Sequence, residues 1–357
     1  MTKKTSLYNH HLNLVAKIIP FSGFEMPVNY SKGILHEYQT IRNGCGMFDV
    51  SHMGQFFIHG DRACDFLQNM TINNVSKLNN YDAQYSAMCN DKGGIVDDLI
   101  LYKKPDGYFM VVNAGNINKN FDWLNKNIIK DVVIDNISSD ISLIAIQGPK
   151  TRKYLSQITD SNLDIKFYSY TKGEVCGHDI MLSRTGYTGE LGFELYGSHE
   201  HIIDIWERLI DLGVEPCGLA SRDILRMEMK YCLYGNDIDE TTNPIEAGLS
   251  WITDMNKNSF IGKNELTQSA NDLKLIAFQM CERGIPRKGY DIFINNSKVG
   301  RVTSGTQSFI LNSGIGIGYI KSQYSHAGQE IDIHIRNKSL KASIIKPPFI
   351  KNTSLFK

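Results

Sequence analysis

Gln84-Tyr85-Ser86-Ala87-Met88-Cys89-Asn90-Asp91-Lys92-Gly93-Gly94-Ile95-Val96-Asp97-Asp98-Leu99-Ile100-Leu101-Tyr102 is the stretch whose reading decides the class of fold. Two β-favouring runs, Gln84–Cys89 and Ile95–Tyr102, flank a turn rich in Asn, Asp and Gly, which reads as a hairpin. Tyr108–Asn113 extends it into a meander. A strand at Gln55–Ile58 and a helix over Ala63–Met70 come before it, and Ile117–Ile129 is helical in character. Further upstream, Ile34, Tyr38 and Ile41 fall at helical spacing, with Gly44 as a stop. The middle third continues in this style. A strand at Ile141–Gln147 runs through Gly148-Pro149 into a helix. Strands near Asp179–Arg184 and Gly192–Tyr196 precede a helix at Ile202–Leu212, and another helix spans about Ala220–Lys230.

After residue 270 the texture changes. LIAFQM, YDIFI, KVGRVTS, IGIGYI, IDIHI and ASIIK are short β-rich pieces divided by Gly, Asn or Ser, the pattern of a small all-β barrel or sandwich. The polar stretch Thr267–Asp272 marks the boundary. The expected architecture is α+β. A first unit covers 1–268, with an inserted α/β subdomain at about 50–140, and a β-barrel covers 272–357.

Composition narrows the partners. Lys plus Arg number 38 and Asp plus Glu number 38, so no global field draws nucleic acid or an anionic membrane. No apolar run approaches the ~18 residues that a bilayer span needs. The start, MTKKTSLYNHHLNL, lacks the apolar core of a secretory signal, so a cytoplasmic protein is expected. Seven cysteines are scattered without C-x-x-C and the histidines show no H-x-x-x-H pair. Reduced thiols and no metal site are the expectation.

Four segments carry chemistry. In the second hairpin strand Asp97 and Asp98 sit among apolar residues, and strand parity sends them to opposite faces. One reading makes them turn-finishing surface acids; the other poises a lone carboxylate in a cavity as acid, base or cation stabiliser. Residue pattern does not choose between the two aspartates. Ser183-Arg184-Thr185-Gly186-Tyr187-Thr188-Gly189-Glu190 reads either as an ordinary hairpin or as a tight turn presenting a ring and a hydroxyl. In Ala220–Glu228, Arg222 and Arg226 lie one helical turn apart, available for an anionic ligand or for ion pairs with neighbours such as Glu228. Leu233–Glu240 resembles a calcium loop only superficially, because the glycine and twelfth-position glutamate of an EF-hand are missing, and it reads as structure.

Gly46-Met47-Phe48-Asp49-Val50-Ser51-His52-Met53-Gly54 resembles the signature of the aminomethyltransferase (T-protein) family of the glycine cleavage system. Phe21–Val28, Gln84-Tyr85-Ser86, Gly93–Leu99, Gln147–Lys150, Ser183–Glu190, Leu233–Glu240, Asn243–Leu249 and Val302–Ser308 agree with it in order, so the similarity covers essentially residues 5–350. It implies a cloverleaf of three subdomains around a central folate channel. It implies Asp98 as the acid that approaches the reactive pteridine nitrogens, with Tyr85, Asn113, Tyr187, Glu194 and Arg222 lining the tetrahydrofolate pocket. The lipoylated H-protein is the implied partner, and Arg287 matches a position suspected of that contact, although a solvated basic turn explains it equally well. Leu191 and Phe309 depart from the family pattern, and the tail Lys346–Ile350 lacks its usual tyrosine.

Three rivals remain within the superfamily. A flavin-linked oxidase would need G-x-G-x-x-G, which is absent. A folate-dependent demethylase acting on a methylamine or sulfonium donor is the alternative, disfavoured by the intact D-V-S-H-M-G and L-Y-G-N-D-I-D-E runs. A repair factor of the iron–sulfur maintenance type centres on K-G-C-x-x-G-Q-E, whereas Lys230–Asp237 lacks the adjoining Gly and the Gln-Glu.

Overall fold

In the computed structural model, which describes residues 2–357, the hairpin lies at the edge of a five-stranded antiparallel sheet. Its order is Ala83–Cys89, Ile95–Lys104, Gly107–Val112, Gly54–His59 and Val133–Asn136. The turn is set by Asn90, whose side-chain oxygen accepts the backbone N–H groups of Lys92 (2.9 Å) and Gly94 (3.0 Å), while Gly93 supplies φ +78°. Gly94 is required for another reason. A Cβ there would stand 1.8 Å from the backbone oxygen of Glu240, because the 236–242 loop straps the hairpin through Ile95 N–H bonds to Asp239 and Thr242.

Helices Ala63–Met70 and Ile117–Lys126 cover one face of this sheet, burying Phe56, Phe66, Leu67, Leu99, Met110 and Leu124. The opposite face meets a six-stranded sheet ordered Tyr170–Val175, His178–Ser183, Gly192–Gly197, Ser142–Gln147, Gly46–Asp49 and Glu215–Pro216. Tyr38, Phe48, Tyr102, Phe109, Val111 and Tyr196 fill the space between the two. Each such side chain contributes roughly 1.5–3 kcal/mol on burial. Helix His199–Asp211 packs Trp206 and Leu209 on the outer side. It begins three residues before the expected start because Ser198 caps it, accepting the His201 N–H.

The six C-terminal strands close into a barrel, Leu273–Met280, Ser313–Lys321, Ser297–Ser308, Asp291–Ile294, Glu330–Ile335 and Lys338–Ile345 in order around the ring. The architecture is thus α+β with a terminal barrel. Several elements escape the sequence reading, among them the helix Tyr8–Asn13, the strands Gly46–Asp49, Val133–Asn136 and Tyr170–Val175, and a hairpin of Lys17–Phe21 and Phe24–Asn29. Pro20 and Pro27 lower the strand signal in that hairpin, and both are tolerated because each pairs only across it, the second partner of Phe24–Asn29 being a single bridge from Lys3 to Phe24. No helix is long and apolar enough to cross a membrane among the described residues.

Candidate active site

The parity problem of the acid pair is resolved by what packs on each face. A bulge between Met88 and Cys89 pairs Cys89 with Ile95 but Met88 with Asp97, so Asp97 joins the helix-covered face. There it is fully buried and accepts four bonds: the Asn113 N–H (3.1 Å) and the side-chain amides of Asn113 (2.8 Å), Asn116 (2.7 Å) and Asn120 (2.5 Å). Asp98 takes the other face and is only half-buried. Tyr85 donates its hydroxyl to Asp98 Oδ2 (2.9 Å), and Asn113 donates its amide to Oδ1 (2.8 Å). Burial raises the proton affinity of both carboxyls, and the charge of Asp98 raises that of Asp97 further; the amide and phenol donors pull the other way.

The loop 184–191 comes next to this carboxylate. It joins His178–Ser183 to Gly192–Gly197, a hairpin whose register sets Ser183 opposite Glu194. The Gln147 amide fills the space beside Gly186 and Gly192, where a Cβ would stand 2.2 Å from its atoms. Gln147 also accepts the Thr188 hydroxyl (2.8 Å), which holds the loop in shape. Tyr187 projects from it half-buried, donates to the Cys232 carbonyl (2.5 Å) and stacks on Tyr231 with centroids 5.7 Å apart. Burial, with Asp98 adding to it, raises the Tyr187 pKa and keeps the phenol neutral.

Arg222 lies 5.1 Å over the Tyr187 ring and 5.4 Å from that of Phe48. Its Nη1 is buried and has no hydrogen-bond partner among the described residues. Burial lowers the arginine's pKa, and Glu194 offsets part of that effect. Glu194 receives Thr185 Oγ1 (2.5 Å) and the Tyr196 hydroxyl (3.4 Å), both on Oε2. An unpaired guanidinium N–H beside a carboxylate with a spare oxygen is a donor–acceptor pair suited to a polar heteroaromatic edge. Arg226 is the reverse case. It bonds Asp223, the Tyr231 carbonyl, Asp237 and Ser304, tying its helix to the barrel. So the two arginines of one helical face divide into one paired and one free.

Asp98, Tyr85, Tyr187, Glu194 and Arg222 therefore surround one region, and Asn113 supports it from behind. Arg287 does not belong to that group. It is exposed on the barrel, donating to the Gly305 carbonyl at 3.1 Å, while the adjacent Lys288 bonds Gly235 and Asn236. Two further aromatics belong to the region and carried no signal in the sequence. Tyr168 feels both Asp98 and Glu194. It adopts φ +60°, held by its N–H on the Arg184 carbonyl and its carbonyl on the Ala83 N–H, contacts between distant segments. Trp251, largely exposed, stacks on Tyr85 with centroids 6.0 Å apart. No three His, Cys, Asp or Glu side chains are placed to hold a metal ion among the described residues.

Residues 7–257 match the family described as the GCVT N-terminal domain, and residues 274–351 match the glycine cleavage T-protein C-terminal barrel domain. A protein of Halothermothrix orenii described as aminomethyltransferase is 45% identical over 357 residues, covering 98% of this chain and 100% of its own length. One from Chloroherpeton thalassium with the same description is 48% identical, covering 98% and 99%. Among solved structures, the glycine cleavage system aminomethyltransferase T of Bartonella henselae superposes with a TM-score of 0.94 at 30% identity, covering 99% of each chain.

Proposed function

The chain belongs to the glycine cleavage T-protein family and is an aminomethyltransferase, and from that premise we propose the chemistry of its site. Tetrahydrofolate is the acceptor, and the lipoyl arm of a lipoylated H-protein carries the aminomethyl donor. The products are 5,10-methylenetetrahydrofolate, ammonia and dihydrolipoyl H-protein. The carbon leaves its sulfur and its nitrogen for N5 and N10 of the folate. The protons of those two nitrogens end on sulfur and ammonia, so no oxidant is required.

The observation that carries this reading is Asp98, one carboxylate held by Tyr85 and Asn113 beside Tyr187 and an arginine with an unpaired N–H. N5 is already a nucleophile, so the first task is alignment with the carbon. Tyr85 and Tyr187 offer flat walls for the pterin and its neighbours, Glu194 accepts from the ring's N–H edge, and Arg222 donates to a ring oxygen. Positive charge then grows on nitrogen and the one-carbon unit. Asp98, fixed and half-buried, stabilises it and receives the proton. The unit over 1–268 supplies all of these side chains, while the barrel over 272–357 buttresses it through Ser304 and presents Arg287 to the H-protein. We place the reaction in the cytoplasm.

The direct test is formation of methylenetetrahydrofolate from tetrahydrofolate with aminomethyl-loaded H-protein, set against dimethylglycine and sulfonium donors. Product with H-protein alone is expected; product only from the other donors transfers the chain to the demethylase class. A second test concerns the free arginine. Arg222→Lys keeps the charge but loses the planar fork, and tetrahydrofolate affinity is expected to fall roughly 10–100-fold, the value of a charge-assisted bond. Unchanged affinity by calorimetric titration counts against a pterin contact.

A further inference from the structure

Asp97 plays no part in the chemistry above, yet it is built into the site with unusual care. Its carboxylate meets three asparagines, 113, 116 and 120, whose spacing brings them to one side of the helical segment starting at Ala114. Ordinary burial of an acid needs a partner cation; here four N–H donors take that place and offset part of the desolvation, which still raises the Asp97 carboxyl to about 7.

The arrangement has a direction. Asn113 offers Asp97 both its backbone N–H and one hydrogen of its side-chain amide. The same amide nitrogen bonds Asp98 Oδ1 at 2.8 Å and the Asp98 carbonyl at 3.2 Å. An amide has two hydrogens, so commitment of one to Asp97 determines where the other points. Without Asp97 one hydrogen of that amide loses its acceptor, and the Asn113 side chain is free to rotate away from Asp98 Oδ1.

We propose that Asp97 is the positioning residue for the reaction: acting through Asn113, it holds the Asp98 carboxylate in the geometry that meets the folate nitrogens. The proposal rests on the assignment of Asp98 made above. The two acids are also neighbours in charge. The charge of Asp98 raises the Asp97 carboxyl, whereas the Asn113 amide holds that of Asp98 down, so a lost Asn113 bond makes Asp98 harder to ionise. The other titratable groups around the pair are Tyr85, Tyr168, Tyr187, Tyr234, Cys232 and Asp237, and a single change at Asp97 leaves all of them in place.

The experiment compares Asp97→Asn with Asp98→Asn in the full chain, using tetrahydrofolate and aminomethyl-loaded H-protein. Rates are normalised to the sites that bind tetrahydrofolate, so that partial misfolding does not register as lost chemistry. Asp97→Asn is expected to keep tetrahydrofolate affinity within about threefold and lose roughly 10–100-fold in kcat per binding site, the scale of a small misplacement of a catalytic group. The acid limb of its kcat/KM profile moves to higher pH, because Asp98 loses the Asn113 donor that favours its ionised form. An unchanged kcat per site with an unchanged limb overturns the proposal. Where Asp97→Asn does not fold, Asn120→Ala takes its place. It removes one donor to Asp97 and touches neither Asn113 nor Asp98. A loss of roughly threefold or more in kcat per site supports the proposal, and no loss overturns it. Full turnover in Asp98→Asn, by contrast, overturns the reading of the site itself. An inactive Asp98→Asn beside an unimpaired Asp97→Asn overturns only the positioning role.

Discussion

Asp98→Asn is expected to lower turnover by roughly 10²–10⁴-fold, the range over which a positioned acid–base or charge-stabilising group acts. Tetrahydrofolate affinity should stay within a few-fold, because Tyr187, Glu194 and Arg222 keep their places and the amide is nearly isosteric with the carboxylate. The introduced side chain still accepts the Asn113 amide through its oxygen and turns its NH2 toward the Tyr85 hydroxyl, so the local bonds have substitutes. What disappears is the negative charge. The parent enzyme should also report that charge through pH. Burial raises the Asp98 carboxyl above the usual carboxylate range. The ionised, working form is therefore complete only above the raised pKa and is lost as pH falls through it, placing the acid limb of kcat/KM higher than for a free carboxylate. In the variant that limb should vanish. Initial rates with loaded H-protein, taken beside a folate titration, check both. Retained turnover removes Asp98 from the mechanism.

Arg42→Met is expected to cost about 3–5 kcal/mol in stability, the penalty for stripping a buried ion network of one member. Arg42 donates to the Thr188 carbonyl (2.9 Å) and Glu190 (2.7 Å) from Nη1, and to Glu228 (2.6 Å) from Nη2, with side chains at most 4% exposed. Glu228 also takes Tyr38 and Ser308, while Glu190 takes Ser354. One guanidinium thus joins the helix Ile34–Asn43, the 184–191 loop, the helix Leu219–Glu228, the barrel and the C-terminal tail. Methionine matches much of its volume, so the loss comes from two buried carboxylates left short of donors and not from a cavity. A fall of about 10 °C in Tm follows for a chain of this size. Adding Glu190→Gln and Glu228→Gln should return part of it, since neutral amides tolerate the missing cation. Thermal unfolding of the single and triple variants decides this; an unshifted Tm in Arg42→Met refutes the network's role.

Much of this protein was legible in its residues. Asn-Asp-Lys-Gly-Gly between two β runs determined the hairpin, because turn geometry depends on a few local φ values that these residues supply. Six short strands separated by Gly, Asn and Ser determined a terminal all-β unit, since alternation along a strand is a local property, but only the tertiary pairing shows that they close as a barrel and do not pack as a sandwich. The presence of one inward acid in the pair 97–98 followed from the same alternation. Which of them faces the site did not. Parity says only that the faces differ, and their character is set by what packs on each: the three asparagines 113, 116 and 120 on one side, Tyr85 and the 184–191 loop on the other. Arg222 and Arg226 are alike in sequence and one turn apart, yet Arg226 is consumed by Asp237 and Ser304 while Arg222 is left with a free N–H. Tyr168 stayed invisible because its left-handed backbone is held by Ala83 and Arg184, segments far away in the chain. Local periodicity determines elements; the fate of a polar side chain is a matter of long-range partners, and only the tertiary structure supplies those.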